Sequence, residues 1–205
     1  HDRNKNFKLK GVDMCGEELS LAKARMSDGV VELFQLEAQN LTAINNASID
    51  VVLCHWALTL MDPITPVLKE INRILSSGGK FAALVNGPMN TAPGYLDVYN
   101  LIYKYVQTKL PNYGKIDLGD PRIRSTKSLE HLVGEVFPSA EISIENNVVS
   151  LLGPVTEVSE TAAGFFYASF ILPTELRMRM LSDLSDLISV SKQEGRFVMP
   201  ISRLI

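Results

Sequence analysis

One stretch constrains this chain more than any other. Asp50 to His55 (DVVLCH) is a nearly continuous apolar run, as expected of a strand covered on both faces. Asp62 and Pro63 then open a helix in which Ile64, Val67, Leu68, Ile71 and Leu75 follow i, i+3, i+4, i+7, i+11. Gly78 and Gly79 end it, and Lys80 to Val85 (KFAALV) reads as the next strand. A strand, an amphipathic helix and a second strand in so little sequence predict a parallel βαβ unit.

The segments before it continue the rhythm. Phe7 to Asp13 reads as a strand, Glu17 to Met26 as a helix with Leu19, Ala22 and Met26 on one face, and Val30 to Leu36 as a strand. The second half is less regular. Helices are expected over Tyr95–Leu110, Ser125–Phe137, Pro154–Leu172 and Pro173–Val190, the last two broken at Pro173. Ala140–Leu152 reads as a strand, with Ile142, Ile144 and then Val148 alternating along it. Arg196–Ile205 reads as a closing strand, and Pro200 within it predicts an edge or a bulge. The sum is an α/β, Rossmann-like, doubly wound, mostly parallel sheet in one domain spanning residues 1–205.

Composition bounds the chemistry. Twenty basic against twenty-three acidic residues give a net charge of −3. That balance lacks the basic excess of a nucleic-acid binder. No run of about 18 apolar residues is present, so no membrane span is expected. Two cysteines, Cys15 and Cys54, do not make a disulfide scaffold or a Cys-rich zinc site. No metal is expected. A cytoplasmic protein that binds neither nucleic acid nor membrane is the resulting expectation.

Candidate site residues gather where the predicted strands end. Asp13 stands at the carboxyl end of the first strand, where an acid can accept both hydroxyls of a ribose, although a turn or cap role is commoner there. Glu37, followed by the small Ala38, stands just past the second strand. There an acid can accept from an adenine amine while a backbone N–H meets a ring nitrogen. Cys54, His55 and Trp56 close the strand of the central unit.

The segment Ile49–Pro63, then Leu68-Lys69-Glu70-Ile71-Asn72-Arg73-Ile74-Leu75, then Gly78-Gly79-Lys80, resembles the class I S-adenosylmethionine (SAM)-dependent methyltransferases, in the branch acting on small molecules. The resemblance is strong from Lys10 to Val85 and architectural beyond. It implies SAM as cofactor and in-line methyl transfer to a small-molecule acceptor. It assigns Asp13 to the ribose and Glu37 to the adenine amine, Met14 to an adenine face, and the Ala38 backbone to the ring edge. Cys54 and His55 fall near the methionine part, with His55 the candidate base. Residues 86–124 and 154–172 become lid elements lining the acceptor pocket, with Trp56, Phe166 and Phe170 on the acceptor side. Arg122 and Arg124 are weaker candidates for an acceptor carboxylate.

Two departures qualify the match. Thr59-Leu60 replaces the His and aromatic residue common in the branch, and Ser76-Ser77 replaces Lys-Pro. A third is larger. The family's first, central strand and its glycine-rich loop, which approaches the cofactor, have no counterpart in the twelve residues before Asp13. A preceding segment carrying them is therefore expected, and without it the chain is expected to bind SAM poorly. The same departure leaves a second reading open, a non-catalytic methyltransferase-like binding or regulatory module. A nicotinamide-dependent reductase ranks below both, for want of a Tyr-x-x-x-Lys pair.

Overall fold

A computed structural model describes residues 7–26, 31–114 and 119–205. The expected strand residue Val30 and residues 115–118 of the long polar loop lie outside them. The chain runs β1 (Leu9–Asp13), α1 (Gly16–Arg25), β2 (Val31–Gln35), β3 (Ile49–His55), α2 (Ile64–Ile74), β4 (Leu75–Asn86), α3 (Tyr95–Gln107), α4 (Thr126–Val136), β5 (Ile144–Pro154), α5 (Val155–Gly164), α6 (Thr174–Ile188) and β6 (Glu194–Leu204).

The strands form two pieces. β1 and β2 pair in parallel, Asp13 opposite Gln35. The other four take the order β3-β4-β6-β5. β3 and β4 are parallel with His55 opposite Leu84, and β6 runs antiparallel to both β4 and β5. Among the described residues, β1 and β3 therefore each have a ladder partner on one side only.

α2 forms where its period predicts. Its apolar stripe of Ile64, Val67, Leu68, Ile71 and Ile74 is buried. Leu75, expected at the end of that stripe, instead opens β4, and Gly78 supplies a turn at φ +76°. Five of the helices gather into two groups. α2 and α4 share a core with Leu58, Phe81, Ala83 and Val85. α3, α5 and α6 share another with Phe166, Phe197 and Met199.

Four expectations are corrected. β3 is not covered on both faces: Val51 is 54% and Leu53 76% exposed, because no described element packs over that face. α1 buries none of its residues, so the expected inward face at Leu19, Ala22 and Met26 meets no core. The helix expected over 154–172 stops at Gly164, and a 3-10 segment, Tyr167–Ile171, follows it.

The last correction concerns the strand that holds Pro200: β6 lies between β4 and β5 rather than at an edge, although the β4 ladder stops at Ile201, one residue short of the proline. Its carbonyl accepts from Gly87 N–H at 3.1 Å, so its nitrogen points to the same side. The bond it cannot donate is the one that would carry β4's pairing past Asn86, and there the pairing ends. Gly87 is needed at that crossing, since a Cβ would stand 2.8 Å from the Ile201 backbone.

Candidate active site at the strand tips

The carboxyl ends of parallel strands point unsatisfied backbone and the first loop side chains into one rim. In the first piece, Leu36 N–H donates to Asp13 carbonyl at 3.1 Å, which ties the tips of β1 and β2 together. Asp13 and Glu37 thus stand on adjacent tips. Asp13 Oδ1 accepts Cys15 N–H at 2.8 Å, a local turn bond that uses one of its two oxygens. Met14, beside it, is 70% exposed, and its carbonyl accepts from Gln35 Nε2. Glu37 is exposed and its carbonyl accepts Asn40 N–H.

The loop after β2 is anchored to α2. Arg73 donates to both carboxylate oxygens of Glu70, to the carbonyls of Leu41 and Ile44, and to Asn46 Oδ1. Glu70 in turn accepts Leu41 N–H at 2.6 Å. The arginine beside it holds the Glu70 carboxyl below its usual range, against a smaller opposing effect of burial. This clamp explains the Leu-x-Glu-Ile-x-Arg spacing: i, i+3 on one helix face brings the two charges together. It also fixes where residues 36–46 leave the rim. Ala38 and Cys54 pack against the same apolar core, which links the second tip to the third.

At the tip of β3, burial pushes the Cys54 thiol up, partly offset by the N–H groups of Leu58 and Ala57. A thiol held protonated is a packing group and weak donor, not a nucleophile. His55 is exposed, and its ring meets Trp56 edge-on at 4.8 Å. Trp56 adopts φ +57°, a left-handed backbone that costs a bulky residue about 1–2 kcal/mol. Its N–H donates to Leu84 carbonyl, its carbonyl accepts Thr59 Oγ1 at 2.7 Å, and its indole N–H donates to Asn86 Oδ1 at 2.6 Å. Asn86, the last residue of β4, is joined to this tip by that bond, and sequence pattern alone does not single it out. The available signal is a polar residue at the carboxyl end of a parallel strand, just before Gly87-Pro88.

The aromatic residues beyond the rim divide. Phe165 meets Trp56 at 5.8 Å. Phe166 is buried against Tyr95 and Tyr99 of α3. Phe170 is 63% exposed. Burial pushes the Tyr95 phenol up to about 12, and raises Tyr103 as well, so both stay neutral donors. Arg122 is committed elsewhere: it pairs with the buried Asp120 and holds that carboxyl below its usual range. His131 lies exposed beside Glu135 on α4. No group of three or more potential metal ligands occurs among the described residues.

Residues 2–83 match the family model described as "Methyltransferase domain". A demethylmenaquinone methyltransferase from Staphylococcus saprophyticus is 31% identical over 107 residues. That match covers 52% of this chain, and the chain spans only 44% of that relative's length. Among solved structures, a candidate methyltransferase of an antibiotic biosynthesis pathway from Anabaena variabilis superposes with a TM-score of 0.58 at 14% identity. It covers 96% of this chain and 81% of its own. The chain has a methyltransferase fold. A candidate methyltransferase from Bacillus halodurans gives 0.54 at 16% identity, covering 97% of this chain and 81% of its own. At such identities these two likenesses speak for the methyltransferase fold alone. Among the described residues, no helix is long and apolar enough to cross a membrane.

Proposed function

We propose that the protein transfers a methyl group from SAM to a small-molecule acceptor by in-line displacement. The observation that carries this reading is the pair of acids on tied, adjacent tips, with Leu36 N–H on Asp13 carbonyl at 3.1 Å. The family match adds to it.

The residues present suit the adenosine half of the cofactor. Asp13 retains Oδ2 for the ribose hydroxyls after Oδ1 has taken Cys15 N–H. Glu37 accepts from the adenine amine, Met14 lies on an adenine face, and the Ala38 backbone meets the ring edge. When bound, SAM supplies an electrophilic sulfonium methyl. What the chain must add is alignment and exclusion of water. Cys54 packs near the methionine part as a neutral thiol. His55 takes the acceptor's proton or holds it in position. The lid comes from residues 86–124 and 154–172, with Trp56, Phe166 and Phe170 on the acceptor side. The Staphylococcus relative is described as acting on demethylmenaquinone, which favours an apolar ring system as acceptor class here.

Isothermal titration of the full-length protein with SAM and S-adenosylhomocysteine tests the reading. Saturable heat with both ligands is expected. No heat at millimolar ligand defeats it and leaves a non-catalytic module.

A further inference from the structure

We propose that Asn86 is an acceptor-binding residue and that Trp56 is the positioning residue that orients it. The assignment deepens the methyltransferase reading and rests on it. It begins with the amide. An indole N–H can only donate, so the 2.6 Å bond from Trp56 fixes the Asn86 amide with Oδ1 turned toward the ring. The Nδ2 group is thereby turned the other way, and no described residue accepts from it. Asn86 is itself exposed, on the last residue of β4, at the rim where ligands of such sheets bind.

Trp56 is held as a fixed part. Its left-handed backbone is retained by bonds to Leu84 and Thr59. Strain of this kind persists where the surroundings over-determine it, and it clusters at functional sites. The centre of the same ring lies 4.8 Å from that of His55 and 5.8 Å from that of Phe165. A two-proton donor, an imidazole and apolar ring walls therefore meet around one side chain.

That set selects an acceptor with an apolar ring system and an oxygen that accepts hydrogen bonds, a carbonyl or an ionised hydroxyl, near the atom to be methylated. Such an oxygen takes the Asn86 N–H bonds while the ring packs beside Trp56 and Phe165. A charged ammonium acceptor has no use for that donor.

Two probes that differ by one oxygen test the assignment: 1-tetralone and tetralin, measured by equilibrium dialysis against the full-length protein. The ketone is expected to bind at least tenfold tighter. Asn86→Asp keeps an acceptor for the indole but replaces the donor with a carboxylate, and is expected to erase the preference. Trp56→Phe frees the amide to turn and is expected to reduce the preference several-fold. Thermal unfolding checks that each variant is folded, and Asn86→Leu serves if Asn86→Asp is not. No preference in the wild type, or the same preference in the folded Asn86 variant, overturns the assignment. S-adenosylhomocysteine titrated on the same wild-type sample reports the cofactor reading separately. Binding without ketone preference sinks the acceptor assignment alone. Ketone preference without S-adenosylhomocysteine binding sinks the cofactor reading alone.

Discussion

The guanidinium of Arg73 holds both carboxylate oxygens of Glu70 at 2.8 Å, one turn apart on α2. The pair is an anchor rather than surface decoration, because the same arginine also satisfies the carbonyls of Leu41 and Ile44. Arg73→Ala strands two backbone carbonyls and both oxygens of the Glu70 carboxylate at once. A loss of about 2–4 kcal/mol of stability is expected. Arg73→Lys keeps the charge but cannot reach in several directions from one plane, and should lose about half as much. Urea unfolding of the three proteins measures this. Equal stability of wild type and Arg73→Ala would show the loop is held by other contacts.

Asp120 gives the fold a pH dependence. Its carboxyl is buried, and hydrogen bonds from Arg122, through side chain and backbone, hold its pKa down. A depressed folded pKa means the unfolded chain binds the proton more readily. The stabilisation is therefore complete above the unfolded value, about 3.9, and is lost as pH falls through the folded value. Asp120→Asn should cost about 1–3 kcal/mol at pH 7 and progressively less below about pH 4. Chemical denaturation at several pH values checks the trend. A gap that stays constant down to pH 2 would contradict it.

Much of the fold is legible in the sequence, and the reasons are physical. α2 can be read because one strong apolar period lies between a Pro start and a Gly-Gly turn, and the stripe is buried as expected apart from its last member. Asp13 and Glu37 can be placed on strand tips from the βαβ rhythm alone. Pro200 misleads because its fit within a sheet depends on where the neighbouring strand stops, and that is not a local property of β6. Phe165 to Phe170 have helical spacing, yet Gly164 closes the helix, and packing against α3 then sets a tighter turn. Asn86 reads as the start of a loop. Only its bond to Trp56, thirty positions away, joins it to the rim.

The Glu37 and Asp13 assignments make separable claims about affinity. Each acid accepts hydrogen bonds from a different part of one adenosine, so each neutral amide variant should weaken S-adenosylhomocysteine about tenfold, or ~1.4 kcal/mol. Asp13→Asn keeps an oxygen that accepts Cys15 N–H, so neither amide variant should lower the melting temperature. Calorimetry and thermal unfolding on the same samples check both. Unchanged affinity in Glu37→Gln would remove that residue from the site.

Cys54 should behave as an unreactive thiol. Burial raises its pKa, and the thiolate is the species that is alkylated. In a Cys15→Ser background, iodoacetamide labelling at pH 8 should run at least tenfold slower in the folded protein than in urea. Labelling at the same rate in both would show that the tip of β3 opens freely to solvent.

The open edge of β3 supplies the last prediction. Trp56 N–H bonds to Leu84 of β4, and backbone groups alternate sides along a strand. The N–H groups of Val51, Leu53 and His55 therefore face away from β4, toward the side where no described strand pairs. β6, by contrast, is bonded on both sides by β4 and β5. In the 205-residue chain alone, hydrogen exchange should be fast at Val51, Leu53 and His55 and slow at Ser202 and Leu204, by at least a hundredfold. Val51 and Leu53 also carry exposed apolar side chains on one face beside this edge, and an open edge flanked by apolar residues invites a further strand. Strong protection of these three amides in the full-length protein would mean that a strand does cover the edge. The tips of β1 and β3 would then belong to one continuous sheet.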